Sequence, residues 1–391
     1  MKTPRFVIVF ALAAAGLSAG CFNINVGTRA PSGRGSADTY ADSPAPPPST
    51  NLPPVSTTPP PPVPSVPTAP TGGTGGGWVD VVRTVAGGVF LDAENGAVFY
   101  AFDTLAHPNK PVELVARLWE TKDLRGVAGV TVAFRRGDWT AGRITTDANG
   151  VALMRWTPAK AGHYSFQAEV VAVAKSSQRG LLGMKSPLLV AARDKKAPQV
   201  VVDLDHTVVD SNFFMVLVGG GKPMAGSIDA LNRIAKRYGV IYLTHRPDVL
   251  TRKTRSWLSG NGYPAGPLLS AEIKDVLDSG KFKTARLVTL RRDFPGVAIG
   301  IGDKLSDAQS YVDNGMSAYL IPHYENDDWE ELRETAAEIR ALRGQGRLHV
   351  VDNWQEIEQG IFGGKTFPSA AYAQKLELRA ARVRAQDRDD D

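Results

Sequence analysis

The chain has 391 residues, room for two domains plus tails, and 45 basic against 40 acidic side chains leave a formal charge of only +5. So small a surplus at this length gives no sign of nucleic-acid binding, and none is expected. A single cysteine, Cys21, excludes any disulfide within the chain.

At the amino end Lys2 and Arg5 precede an apolar run over 6–16, followed by Leu17-Ser18-Ala19-Gly20-Cys21. A basic flank, a short apolar core and small residues before a cut form a signal-peptide pattern. The run is too short to span a bilayer comfortably. Its Gly20-Cys21 end resembles a bacterial lipobox, which implies an exported lipoprotein with a diacylated Cys21 as mature terminus, anchored to a membrane. Ser18 stands where that family has leucine, and an ordinary secreted protein is the alternative. Residues 22–77 are Pro, Ser, Thr and Gly with almost nothing to bury. They predict a disordered, partly polyproline tether with a reach on the order of 100 Å.

Over 78–196 the pattern changes to short alternating runs at 112–119, 130–135, 143–146, 151–156, 164–171 and 188–192. Asp147-Ala148-Asn149-Gly150 is a hairpin turn between two of them. Short strands at such spacing predict an immunoglobulin-like β-sandwich. His107 and His163 are isolated here and read as packing residues.

From Lys195-Lys196-Ala197-Pro198 onward strands and helices alternate, as a parallel sheet requires. Val200-Val201-Val202 reads as a buried strand, and it delivers Asp203-Leu204-Asp205-His206-Thr207 at its carboxyl end, where open α/β sheets bind ligands. A carboxylate there can attack phosphorus, and a second can protonate the leaving oxygen and then activate water. Residues 213–221, with three glycines at the end, predict a hairpin flap; a helix follows over 227–238. The strand 240–243 ends in Thr244-His245-Arg246-Pro247, where a hydroxyl and a guanidinium can hold a phosphoryl group. Next come a basic helix over 248–258, a loop over 262–270, and a helix opened by Lys281-Phe282-Lys283. Of the two lysines Lys283 is the choice for neutralising phosphate. The strand 297–301 ends in Gly302-Asp303-Lys304-Leu305-Ser306-Asp307. Its two acids suit a hard cation, although Asp307 is equally a first-turn helix acid. Beyond Pro322 follow a helix over 327–342, a strand over 348–351 and a helix over 354–361. The Ala/Arg-rich stretch 371–391 reads as a solvated or frayed helix.

Asp203-x-Asp205-x-Thr207, Thr244, Lys283 and Asp303…Asp307, in that order, resemble the four motifs of the haloacid dehalogenase (HAD) phosphatases. Tyr242–Pro247, Pro264-Ala265-Gly266-Pro267-Leu268-Leu269-Ser270, Phe282-Lys283 and Tyr311 with Gly315 look like the lipin/LNS2 branch. That branch comprises Mg²⁺-dependent phosphatidate phosphatases and related phosphatidate-binding modules. The resemblance spans about 198–322. It implies a HAD-like α/β fold with a doubly wound parallel sheet, placed over 197–365; composition sets off a charged tail over 366–391. It further implies Asp203 as nucleophile and Asp205 as acid/base, with Thr244, Lys283 and Arg246 on the phosphate. Asp203, Asp205 (through its backbone carbonyl), Asp303 and Asp307 would hold Mg²⁺. Three positions depart from the pattern: His206 where glycine is common, Asp303 for asparagine, and His245 for a smaller residue. About thirty-five residues separate Thr207 from Thr244, and about as many separate Thr244 from Lys283, too few for an independent cap domain. An uncapped site suits a membrane or macromolecular phosphomonoester, phosphatidate first. The alternatives are a secreted acid phosphatase or nucleotidase, and a phosphatidate-binding module without turnover.

Overall fold

The computed structural model describes residues 93–122, 125–210, 221–272, 279–344 and 346–390. The signal-like run, Cys21, the tether and most of the flap lie outside them. Among the described residues no helix is long and apolar enough to cross a membrane.

The first nine strands are β1 (Ala93–Glu94), β2 (Ala97–Ala101), β3 (Thr104–Ala106), β4 (Val112–Glu120), β5 (Val130–Arg136), β6 (Trp139–Thr145), β7 (Val151–Trp156), β8 (Gly162–Val173) and β9 (Lys185–Ala192). They form two sheets, ordered β1-β2-β4-β7 and β3-β9-β8-β5-β6. Alternate residues of both turn inward. Phe99, Leu114 and Leu118 of the first sheet share one core with Phe134, Phe166 and Val190 of the second. The expected hairpin turn is present: the Asp147 carboxylate accepts from the Asn149 and Val151 amides at 2.8 and 2.9 Å.

The second half alternates strand and helix. Its strands are β10 (Gln199–Val202), β11 (Gly239–Pro247), β12 (Leu268–Ala271), β13 (Val297–Gly302), β14 (Ser317–Leu320) and β15 (Leu348–Val350). Its helices are α1 (Ser227–Ile234), α2 (Thr251–Gly260), α3 (Ser279–Asp293), α4 (Leu305–Asp313), α5 (Trp329–Ala341), α6 (Trp354–Gly363) and α7 (Ser369–Asp390). All six strands run parallel in the order β12-β11-β10-β13-β14-β15. The valine run of β10 is continuous because both faces are covered. Val200 and Val202 pack with Leu231 and Ile234 of α1 and Trp354 and Ile357 of α6. Val201 packs on the opposite face with Leu287 of α3, Tyr311 of α4 and Leu332 of α5.

Two expectations are corrected. Leu268–Ala271, read within a loop, is an edge strand, because Tyr242 and Leu243 of β11 pair with Leu268 and Leu269. The stretch after Ala371, read as a solvated or frayed helix, belongs to α7 and is anchored. Its Tyr372, Ala373, Leu376 and Ala380 are buried in the same core as Leu332, Ala336 and Ile339 of α5. Spaced one, three and four residues apart, they form one helix face that an Ala/Arg-rich composition conceals.

The two halves are joined by buried polar contacts. Asp103 takes the Arg255 guanidinium at 2.7 Å and the Leu268 amide of β12 at 2.9 Å. Arg117, its guanidinium 5.3 Å from the ring centres of both Phe102 and Trp119, donates to Asp248 at 2.9 Å. His107 stacks on Phe294 at 4.2 Å, a packing role as expected. At the far margin of the parallel sheet the Val350 amide donates to the Phe367 carbonyl at 3.0 Å.

Candidate active site

In the parallel sheet β10 is the innermost strand from which the chain goes first to one side, through β11 and β12, and then to the other, through β13 to β15. The crevice at the carboxyl ends of β10 and β13 is therefore the switch point where such sheets take ligands. Asp203 follows β10 and Asp303 follows β13, and Val202 pairs with Ile301 just before them. The Asp203 amide still donates to the Ile301 carbonyl at 2.9 Å, so its side chain is fixed by the sheet itself.

After Asp203 the chain turns sharply. The Leu204 carbonyl accepts from the Val208 and Val209 amides at 2.9 and 3.0 Å, which leaves Asp205 and His206 at the apex. Two aromatic groups pin the turn from behind: Trp354 Nε1 donates to the Thr207 carbonyl at 2.9 Å, and the Tyr263 hydroxyl donates to the Val208 carbonyl at 2.7 Å. Sequence reasoning singled out neither. Each is an ordinary member of an apolar helix or loop pattern, and only the fold brings it to this turn.

Lys283, near the start of α3, is fully buried between two acids. Its Nζ lies 2.9 Å from Asp203 Oδ1 and 2.6 Å from Asp307 Oδ2. Asp203, Asp303 and Asp307 each offer a carboxylate oxygen, all within 4.8 Å of one another, and all three are buried. Gly300 lets this arrangement close, since a Cβ there would stand 2.2 Å from the Tyr311 ring of α4, the helix that carries Asp307.

The electrostatics follow from crowding three acids around one ammonium. Burial opposes the charge of Asp203, but Lys283, its hydrogen bond and Lys304 outweigh that and hold the carboxyl below its usual range. Asp303 is pushed well up by burial and by the neighbouring Asp203 charge. Asp307 is also raised, chiefly by burial and against the pull of Lys283. Lys283 is kept protonated, because its two acids overcome the cost of burying it. Asp303 Oδ1 is buried with no hydrogen-bond partner. Three buried carboxylates this close together, one of them with an oxygen lacking any hydrogen-bond partner, make the donor set of a hard cation.

Thr244 and Arg246 arrive on β11, whose register with β12 shifts between Leu243 and Pro247. Such an irregularity re-aims side chains beside a site. Thr244 is fully buried, and its Oγ1 accepts from the Arg246 amide at 3.2 Å. Arg246, expected on the phosphate, grips Asp205: Nη2 lies 2.6 Å from Oδ1 and Nε 3.2 Å from Oδ2. The carboxylate of Asp205 is thus turned to Arg246, apart from the three-acid cluster. The His245 ring stands 6.2 Å from that of Phe282.

No curated protein matches the chain. Solved structures with slight likeness include the Pnkp1/Rnl/Hen1 RNA repair complex, at 15% identity and TM-score 0.31, over 34% of this chain and 46% of that one. The chain thus spans less than half of that structure. The crystal structure of the CARDB domain of PF1109 from Pyrococcus furiosus is similar at 16% identity and TM-score 0.19, over 25% and 87% of the two chains. The M1 domain from titin is similar at 12% identity and TM-score 0.17, over 25% and 92%. Likeness so slight carries neither fold nor function across. Residues 200–320, from the first strand of the parallel sheet to the fifth, match the family model described as PITM 1-3, LNS2 domain, which supports the LNS2/HAD-like phosphatase branch for this part of the chain.

Proposed function

We propose that residues 197–390, α7 included, form a Mg²⁺-dependent phosphomonoester hydrolase that works through an aspartyl-phosphate, with phosphatidate as substrate. The same proposal takes the first domain as immunoglobulin-like and the chain as an exported lipoprotein held at a membrane by Cys21. The observation that carries the reading is Lys283, bridging Asp203 and Asp307 beside Asp303 at the switch point.

Asp203 is kept ionised and fixed, so one of its oxygens attacks phosphorus while the bond to the leaving oxygen breaks. The Asp205 carboxyl gives its proton to that oxygen. It then takes a proton from the water that attacks the aspartyl-phosphate, which releases phosphate and restores Asp203. Lys283 and Thr244 bind the phosphoryl oxygens, and Arg246 sets the direction of Asp205. Asp203, Asp303 and Asp307 would hold Mg²⁺, which when bound offsets the repulsion between the nucleophile and an anionic phosphate.

The short spacing between motifs supports a lipid substrate. Between Thr244 and Lys283 the described chain contributes only the end of β11, a 3-10 turn at Asp248–Leu250, α2, β12 and the first turn of α3. A binding module without turnover is the second reading, and the specific observation in its favour is the Arg246 grip on Asp205, the acid of the first reading. One comparison separates these readings: kcat/KM for phosphatidate in mixed micelles, a nucleoside monophosphate and a sugar phosphate, with Asp203→Asn as blank. Phosphatidate is expected to win. Soluble substrates favoured by tenfold, about 1.4 kcal/mol of transition-state preference, would overturn the lipid assignment. Tight phosphatidate binding with turnover no higher than the blank would establish the module instead.

A further inference from the structure

Three described residues other than glycine hold a left-handed backbone: Asn95, Asn109 and His206, the last at φ 53°. Asparagine in a surface turn is unremarkable. His206 is different, because it sits between Asp205 and Thr207 at the apex of the catalytic turn. Glycine would hold this conformation freely, whereas a Cβ there costs on the order of 1 kcal/mol. A cost retained at a functional site points to a use for the side chain.

The ring's surroundings indicate that use. It stacks against His323, with centroids 4.5 Å apart and planes at 33°. His323 comes three residues after Leu320, the end of β14, and thus on the same carboxyl edge of the sheet as Asp203 and Asp303. His206 is half-buried and His323 exposed, so the pair stands at the mouth of the site. Asp205, Asp203 and Lys304 all lie within electrostatic reach of His206.

In-line displacement fixes what passes this point. Asp203 approaches phosphorus from one side, and the leaving oxygen departs on the other, where Asp205 supplies its proton. Whatever remains attached to that oxygen leaves past the residue bonded to Asp205. In the phosphatidate reading that group is a diacylglycerol, which carries no second charge, so the partner for the pair is a neutral acceptor. Imidazole offers an N–H for such an acceptor. In a diacylglycerol the nearest neutral acceptors to the phosphate-bearing oxygen are the ester carbonyls.

We propose that His206 and His323 form a leaving-group subsite whose ring N–H groups donate to the ester carbonyls of a diacylglycerol. This rests on the phosphatidate reading above and adds the residues that recognise the part of the substrate beyond phosphorus.

The test uses the full chain in mixed micelles, with diacyl phosphatidate and a dialkyl ether analogue of equal chain length, which lacks the carbonyls. One hydrogen bond is worth a factor of roughly 2 to 10, so the parent should favour the diacyl form several-fold to tens-fold in kcat/KM. His206→Gly, which relieves the backbone and should melt no lower than the parent, and His323→Ala should each lower that ratio several-fold. A parent without preference, or variants that keep the parental ratio while hydrolysing phosphatidate, would overturn the subsite. Failure of the underlying reading looks different: both phosphatidates are inert while a soluble phosphomonoester is turned over, and the subsite as stated falls with it. Variants that lose kcat/KM to the same extent on a nucleotide and on both phosphatidates, with the diacyl-to-ether ratio unchanged, would mean the pair only positions Asp205, and also overturn the proposal.

Discussion

At the scale of single residues, Lys283 holds the site together because its ammonium is wedged between two buried acids. Lys283→Met should cost about 3–5 kcal/mol, since removing one partner of a buried ion pair leaves the other charges uncompensated. A chemical-denaturation midpoint that does not move would contradict this. Asp203→Asn keeps the shape of the side chain and removes the proposed nucleophile, so phosphate release should fall to background while the melting curve stays cooperative. Chelation should mimic it on the parent, with recovery on added Mg²⁺. For Arg246 the geometry makes a sharper forecast: Arg246→Ala should lower kcat on the order of 10²-fold, within the usual range for general acid–base catalysis. A change confined to KM would assign Arg246 to the phosphate after all. Asp203 and Asp303 were legible because each follows an apolar strand, whereas Thr244, Lys283 and Asp307 were singled out only by the order of motifs resembling the HAD phosphatases. The direction of Arg246 was not legible, since a long side chain beside both a carboxylate and an expected phosphate has two partners of opposite meaning. Trp354 and Tyr263 were hidden for another reason: their hydrogen bonds reach main-chain carbonyls far along the chain, which leave no mark in local pattern.

At the scale of elements, the valine run and the alternation of strand and helix made the central strands readable, because burial on both faces leaves a continuous apolar signature. Edge elements were less readable. Leu268–Ala271 is short and follows Pro264 and Pro267, so turn chemistry masked a strand that exists only through pairing with β11. The helix α7 was masked by its charge. Leu376→Ala should cost about 2–5 kcal/mol, as for other buried leucines, whereas Leu378→Ala, on the exposed side of the same helix, should change stability little. Comparable losses from both would mean that α7 is not anchored through this face. The turn leading into α2 carries a second kind of forecast. Asp248 is buried, Arg117 pulls against that burial without cancelling it, and the carboxyl is pushed up to about 7. A raised carboxyl favours the folded state most when protonated. Its contribution is therefore complete below the ordinary carboxylate value, near pH 4, and fades as pH rises through about 7. Asp248→Asn should flatten the fall in melting temperature across that window, measured by circular dichroism in a pH series. An unchanged slope would show that Asp248 does not titrate there.

At the scale of the whole molecule, composition separated the β-rich half from the α/β half, but it gave no hint of how firmly they are joined. That junction is made by Asp103 with Arg255 and by Arg117 with Asp248, pairs more than a hundred residues apart in sequence. Asp103→Ala should cost about 3–5 kcal/mol by leaving Arg255 buried without its carboxylate, and because Asp248 follows Arg246 so closely, strain at the junction should reach the site as well. Melting that splits into two transitions in the variant, against one in the parent, would show that the halves unfold together only through this contact. The contacts at the two margins of the parallel sheet have a further consequence. Asp103 occupies the Leu268 amide on β12 at one side, and Phe367 occupies the Val350 amide on β15 at the other. An open sheet margin is a template on which a second copy can add a strand. In this chain each margin is met by a segment from elsewhere in the fold, so the β-rich half shields its neighbour from self-recruitment, and the α/β half expressed alone would carry a sticky border at β12.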